Sequence, residues 1–168
     1  FLEPDLDYLN NFHGFDKWSQ IIDKVKVNTK KLTEIPDKID FLKIDAQGYE
    51  SEIINHGKDK IEDCLVIQLE TSPTPLYKNE KTLSATVLEL EKLGFTLHMF
   101  NNLNTRSFKP TIVNNNPYTG INHLFQVDCV LIKNFKIINN YEIDNLKKLI
   151  LILFYSFKSY DLVDYLIR

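Results

Sequence analysis

The chain has 168 residues, which suits a single globular domain with a buried core, and its 43% hydrophobic content is ordinary for such a domain. A formal net charge of −3 gives no electrostatic reason to expect nucleic acid or an anionic membrane surface as a partner. The two cysteines, Cys64 and Cys129, lie in apolar runs, which is typical of buried reduced thiols and predicts a cytoplasmic protein. Because Cys and His at metal-ligand spacing are absent from the sequence, we predict no metal site.

The beginning of the chain has turn residues and aromatic side chains without clear periodicity. Glu3-Pro4-Asp5 is suited to cap a short helix, and another helical turn is expected at residues 18–22. We interpret residues 1–24 as an N-terminal helical segment. Residues 25–29 then alternate apolar and polar side chains, which predicts a strand.

The next stretch is the most informative one. Residues 41–45 form a short apolar run that ends on Asp45, as a buried parallel strand does when it delivers a carboxylate to the edge of an open α/β sheet. An amphipathic helix is expected over residues 49–55, with Gly57 as its stop signal.

The rest of the chain continues this alternation of strands and helices. A second apolar strand, residues 65–70, ends on Glu70. The further predicted elements are a loop at residues 71–77, a helix at 82–93, a strand at 95–100, a long Asn-rich loop at 101–122, a strand at 124–132 and broken, charged helices at 141–168. The order predicts an α/β fold in which residues 25–135 build a mostly parallel sheet with an antiparallel edge hairpin. The C-terminal helices are too charged to span a membrane.

Two carboxylates meet at one edge of this sheet if both strands run parallel. Asp45 and Glu70 could then accept hydrogen bonds from substrate hydroxyls or assist proton removal. Two alternatives remain open, since Asp45 could cap the helix that follows it and Glu70 could pair with a basic residue.

Two histidines are the other candidate bases. His98 alternates within a predicted strand, which favours a structural imidazole. His123 follows the long Asn-rich loop and could reach over the site, so we keep it as a candidate catalytic residue.

The run around Asp45 is also a recognisable motif. It reads Asp40-Phe41-Leu42-Lys43-Ile44-Asp45-Ala46-Gln47-Gly48-Tyr49-Glu50 and is followed by Ile53-Ile54 and Gly57. It resembles the signature of the FkbM-type methyltransferases, in which an apolar strand ends in Lys-Ile-Asp, then Gln or Glu, Gly and, one residue later, Glu. Later segments match the family in the same order: Ile67-Gln68-Leu69-Glu70-Thr71-Ser72, Pro75-Leu76-Tyr77, Leu93-Gly94-Phe95, Gln126-Val127-Asp128-Cys129-Val130-Leu131 and Ser159-Tyr160-Asp161-Leu162.

The resemblance implies a Rossmann-like, S-adenosylmethionine-dependent O-methyltransferase acting on a sugar or polyketide-like hydroxyl, in a small molecule or a glycan. By position it places Asp45, Ala46 and Gln47 at the cofactor, with Asp45 facing the methyl group. It places Glu70 beside the acceptor pocket, where a base would remove the hydroxyl proton.

The sequence also departs from the family pattern. A glycine-rich turn after a first strand, which would approach the methionine end of the cofactor, is absent because the sequence has no Gly-x-Gly. Glu3 superficially resembles the acidic residue that holds the ribose, but residues 2–27 fit a later family segment better. Thr33 stands where the family often has an aspartate. Met99 is the only methionine, so we interpret residues 1–168 as a single partial domain.

These departures lead to three expectations. Most of the cofactor site would lie upstream of Phe1, so this fragment should bind S-adenosylmethionine weakly or not at all and be inactive alone. The strand ending at Asp45 would lack its usual neighbour and form an open, hydrophobic edge that invites pairing with another chain or a second copy. The alternative function is therefore a non-catalytic α/β interaction module, and a nucleotide-dependent enzyme is less favoured because a phosphate-cradling loop is missing.

Overall fold

A four-stranded sheet organises the chain, in a computed structural model that describes residues 2–138 and 140–168. The strands lie in the order β1-β2-β4-β3. Their bounds are Phe41–Ile44 for β1, Val66–Thr71 for β2, Phe95–Thr105 for β3 and Leu124–Lys133 for β4. The β1–β2 pair is parallel, whereas β4 runs antiparallel to both β2 and β3, so three strands point the same way. The α/β class and the antiparallel hairpin at one edge are confirmed.

The helices cover both faces of the sheet. They are α1 Leu6–Leu9, α2 Phe15–Trp18, α3 Glu50–His56, α4 Lys58–Ile61, α5 Leu83–Lys92, α6 Phe135–Ile138, α7 Ile143–Ile152 and α8 Tyr160–Ile167, with a 3₁₀ turn at Leu32–Glu34 and a π-helical turn at Leu153–Phe157. Helix α5 begins where the Thr82 side chain accepts the Ala85 amide at 3.3 Å, and it ends before Gly94, whose φ of +83° favours glycine. No helix among the described residues is long and apolar enough to cross a lipid bilayer.

Alternating side chains of the central strands supply two cores. Ile67 and Leu69 of β2 face α3, α4 and α5, and they lie in a fully buried cluster with Leu131 of β4. Val66 of β2 and Val130 of β4 face α7 and α8 on the other side. Both cysteines are free and buried, and burial raises the pKa of Cys64 to about 11 and that of Cys129 to about 12, so the thiols stay protonated.

The strand predicted at residues 25–29 is wrong. Residues 20–31 have no regular secondary structure, and Val25 and Val27 are 76% and 64% exposed. Alternation gives a segment the propensity for a strand, but a strand also needs a neighbour for its backbone groups, and none of the described strands pairs with this one.

Helix α3 ends at His56 with Gly57 as its C-cap residue, as expected, and α4 starts directly after Gly57. Two other boundaries differ from expectation. Strand β3 continues to Thr105, so the long loop begins at residue 106. The C-terminal helical pattern is divided at Lys158, which has a left-handed φ of 54°.

Candidate functional site

The parallel pairing of β1 and β2 brings Asp45 and Glu70 to the same edge. Ile44 is the register partner of Leu69, so the next residue on each strand is a carboxylate. The side-chain amide of Gln47 joins them, since its Nε2 donates to Asp45 Oδ1 at 2.9 Å and to Glu70 Oε2 at 3.3 Å. The sequence expectation that these two carboxylates meet is confirmed.

A tight turn holds Gln47 in place between β1 and α3. Gln47 and Gly48 both have left-handed backbones, with φ of 52° and 92°. The Ala46 amide donates to Glu50 Oε1 at 2.7 Å, so a buried carboxylate closes the turn. A Cβ on Gly48 would lie 2.8 Å from Cδ2 of Tyr77, so only glycine lets the Tyr77 ring approach this closely.

Asp45 is bound by side chains. It accepts the Gln47 amide and lies 3.7 Å from Lys43 Nζ, an exposed ion pair of small energetic weight. Among the described residues its hydrogen bonds include none to the backbone of α3, so the structure gives no support to the capping alternative. The Asp45 carboxylate therefore lies at the edge of the sheet and is not used to cap α3.

Negative charge accumulates at this edge of the sheet, where the exposed Lys43 lies near Asp45. Glu70 pairs with Asp128 across β2 and β4, which adds a third carboxylate to the row. Burial raises the pKa of Glu70 to about 7, and the negative charges of Asp45 and Asp128 contribute to the same shift. A carboxyl group in this state can hold or release a proton near neutral pH.

Comparison with known families assigns the chain to one of them. A family model described as the methyltransferase FkbM domain matches residues 6–97, more than half of the chain. The chain belongs to the FkbM methyltransferase family. No curated protein and no solved structure gives a match. The matched segment of the FkbM domain contains Asp45, Gln47, Glu70 and Tyr77, whereas Asp128 and His123 lie beyond it.

The acidic edge of the FkbM domain fits the sulfonium end of S-adenosylmethionine on charge. A cation placed among Asp45, Glu70 and Asp128 would relieve the repulsion that adds to burial in raising the pKa of Glu70. The backbone amide of Ala46 is already bound by Glu50, and the Gln47 amide is bound by the two carboxylates. Cofactor contacts from Ala46 and Gln47 therefore stay a prediction.

His123 lies in a separate aromatic cluster. Its Nε2 is 2.7 Å from the Tyr8 hydroxyl, and its ring stacks on Phe12 with centroids 5.5 Å apart. Phe108 packs against it at 4.6 Å. The structure gives His123 structural contacts, and it does not bring it into hydrogen-bond contact with Asp45 or Glu70 within the described part of the chain. Its catalytic role stays a prediction.

Other residues singled out in the sequence lie on the surface or away from the carboxylates. Glu3 pairs with Lys24 at 3.8 Å and with Lys78 at 3.7 Å, and all three side chains are exposed. Thr33 is exposed in the 3₁₀ turn. His98 Nε2 is 2.8 Å from Ser159 Oγ, which agrees with the structural interpretation of this imidazole.

Sequence reasoning assigned no site role to Glu50, Tyr77 or Asp128. Glu50 lies four residues after Ala46, and a carboxylate at this spacing can accept a hydrogen bond from the Ala46 amide across a turn. That spacing was the available signal. Asp128 lies on β4 next to β2, and the antiparallel register of these two strands places it beside Glu70. Tyr77 gives no local signal, because its approach to Gly48 depends on how the loop after β2 docks.

Proposed function

We propose that this FkbM domain forms the acceptor side of an S-adenosylmethionine-dependent O-methyltransferase site. The observation that supports the proposal is the bridge from Gln47 to both Asp45 and Glu70 at the carboxyl ends of two parallel strands. The acceptor is a hydroxyl of a sugar or polyketide-like molecule, free or in a glycan. Asp45 faces the cationic end of the cofactor, and Glu70 faces the acceptor.

Each carboxylate has a distinct chemical task. When bound, S-adenosylmethionine supplies a methyl group activated by its sulfonium. Glu70 takes the proton from the acceptor hydroxyl at a carboxylate oxygen, and the pKa of about 7 sets its protonation in the useful range. The Asp45 carboxylate favours positive charge beside it, while the Gln47 amide holds both carboxylates in a fixed geometry. His123 is the alternative base.

The affinity of this polypeptide for the cofactor should be low. The sequence has no Gly-x-Gly turn to approach the methionine end of the cofactor. Binding of the cofactor would therefore depend mainly on the carboxylates at the edge of the sheet. We expect calorimetry with the 168-residue chain to give little or no binding and no methyl transfer. Micromolar affinity would contradict this expectation.

A paired comparison of ligands tests the site itself. Carbon-detected NMR of the Glu70 carboxyl should show its pKa fall with millimolar S-adenosylmethionine, which is cationic at sulfur, and not with S-adenosylhomocysteine, which is neutral there. Asp45→Asn should weaken the response, whereas Asp59→Asn on the exposed helix α4 should not. An equal response to both ligands, or one that survives Asp45→Asn, would overturn the proposed function.

A non-catalytic interaction module is the second candidate. It is favoured by β1, which pairs only with β2 among the described strands and leaves Phe41 36% exposed. Concentration-dependent association together with no cofactor response at Glu70 would support the module over the enzyme.

A further inference from the structure

Tyr77 reaches the acidic edge from the loop that follows β2. Its hydroxyl donates to Gln47 Oε1 at 2.7 Å, while Nε2 of the same amide donates to Asp45 and Glu70. The three bonds use both ends of the Gln47 side chain. Ionised carboxylates only accept hydrogen bonds, so they select the NH₂ end of the amide. The Tyr77 hydroxyl then donates to the amide oxygen, so the Gln47 side chain is held at both ends.

The loop holds Tyr77 firmly enough for this task. Its backbone amide donates to Glu80 Oε2 at 3.0 Å, and the neighbouring Leu76 amide donates to the same oxygen at 2.5 Å. The Leu76 carbonyl accepts the Asp5 amide at 2.8 Å, which ties the loop to the N-terminal segment. The Tyr77 ring lies over Gly48, where any Cβ would collide with it.

We propose that Tyr77 is a positioning residue, whose hydroxyl orients the Gln47 amide so that one NH₂ group holds Asp45 and Glu70 together. Without the hydroxyl, the amide oxygen loses its donor and the side chain is held only at its NH₂ end. The NH₂ group is then held less firmly between the two carboxylates. The inference rests on the proposed function in one respect, namely that Asp45 and Glu70 are the functional groups of the site. Tyr77 touches neither substrate nor reacting atoms in this role.

The consequence for Glu70 is measurable without catalysis. Hydrogen bonds from the Gln47 amide favour the ionised form of each carboxylate, so their loss disfavours it. Tyr77→Phe keeps the ring over Gly48 and removes only the hydroxyl. It should raise the measured pKa of Glu70 by about one unit. The matched control is Tyr155→Phe, which removes a hydroxyl from a side chain that is 74% exposed in the C-terminal helices.

A double-mutant cycle separates this role from packing. Gln47→Asn keeps a residue type that tolerates the left-handed backbone and shortens the amide so that it no longer spans the carboxylates. In that background, Tyr77→Phe should leave the Glu70 titration unchanged. A purely structural effect of Tyr77 would shift Glu70 equally in both backgrounds.

The outcomes are distinct. A Glu70 shift in Tyr77→Phe that vanishes in Gln47→Asn supports the inference, and an unchanged titration in Tyr77→Phe overturns it. If Tyr77→Phe loosens the fold, its amide spectrum will change widely. Gln47→Asn alone then decides, because the inference requires it to raise the Glu70 pKa as well. These titrations contain no cofactor, so the ligand comparison can fail while this inference stands, and the reverse also holds.

Discussion

Glu70 on β2 is the direct partner of Asp128 on β4, so two carboxylates lie side by side on neighbouring antiparallel strands. Paired residues of this kind project from the same face of the sheet, and like charges there repel. Burial, then the charges of Asp45 and Asp128, raise the pKa of Glu70 to about 7. The Glu70 carboxyl group therefore loses its proton near neutral pH.

Removing the charge of Asp128 should lower the pKa of Glu70. We expect Asp128→Asn to shift it down by about 0.5–1 unit, because a neutral amide of the same size removes one repulsive charge. Carbon-detected NMR titration measures the shift. Asp16→Asn on the exposed helix α2 is the control. An unchanged pKa in Asp128→Asn would show that Asp128 is too well screened to act on Glu70.

Glu70 should also make the stability of the domain depend on pH. The raised pKa means that the folded state binds more protons than the unfolded state between about 4.5 and 7. This contribution is fully present below pH 4.5 and is lost as pH rises through 7.

Glu70→Gln removes the titrating group. We expect the variant to gain about 1 kcal/mol of unfolding free energy over the wild type at pH 8.5 relative to pH 5.5, after allowing for solvent screening. Urea unfolding at the two pH values measures the difference. Glu91→Gln, at an exposed position on α5, should give no such pH dependence. A constant difference between Glu70→Gln and wild type would contradict the assignment.

The strand ends and their carboxylates could be predicted because buried strands read as apolar runs. Ile67 and Leu69 are fully buried, and the run they belong to ends at Glu70. The segment at residues 25–29 has a similar apolar pattern but is not a strand. A strand forms only where a neighbouring strand pairs with its backbone, and none of the described strands pairs with this segment. Asn102 and Asn104 gave the opposite error, since pairing with β4 keeps these polar residues in β3.

The sequence predicted only the part of the site that the strand register determines. Asp45 and Glu70 meet because their strands are parallel and in register. The bridge between them requires Gln47 in a left-handed turn and Tyr77 from a loop thirty positions later in the chain. Neither periodicity nor spacing indicates how that loop folds back, because its docking is set by tertiary packing.

His98 should give the domain a pH dependence of opposite sign. Burial lowers the pKa of His98, with Asp161 acting in the other direction, so the unfolded state binds more protons at this residue. The neutral imidazole lies 2.8 Å from Ser159 Oγ and links β3 to the start of α8. Its stabilising contribution is present above the unfolded pKa and is lost as pH falls through the lowered one.

Replacing this imidazole should flatten that slope. His98→Gln is expected to lose about 1 kcal/mol of stability at pH 7.5 and less at pH 5.5, by urea unfolding. His56→Gln, which removes an exposed contact with Glu52 on α3, should change both values much less. An equal loss at the two pH values would show that the His98–Ser159 contact contributes without titrating.

The free edge of β1 should make the polypeptide associate with itself. Phe41 is 36% exposed at this edge, and β1 pairs with β2 in register without a bulge. The opposite edge strand, β3, has three register shifts along its pairing with β4, and such irregularities disfavour strand addition. We therefore expect a second copy to add at β1 and not at β3.

Sedimentation velocity over a concentration series measures this association. Phe41→Glu should shift the distribution toward the monomer, because a charge at the edge opposes pairing with a second copy. Phe100→Glu is the matched control, since Phe100 is 41% exposed on β3. Circular dichroism should show that both variants keep the fold, which matters for Phe41 because its ring packs edge-on against Phe157 at 5.6 Å. A monomeric wild type, or association that Phe100→Glu weakens equally, would contradict pairing through β1.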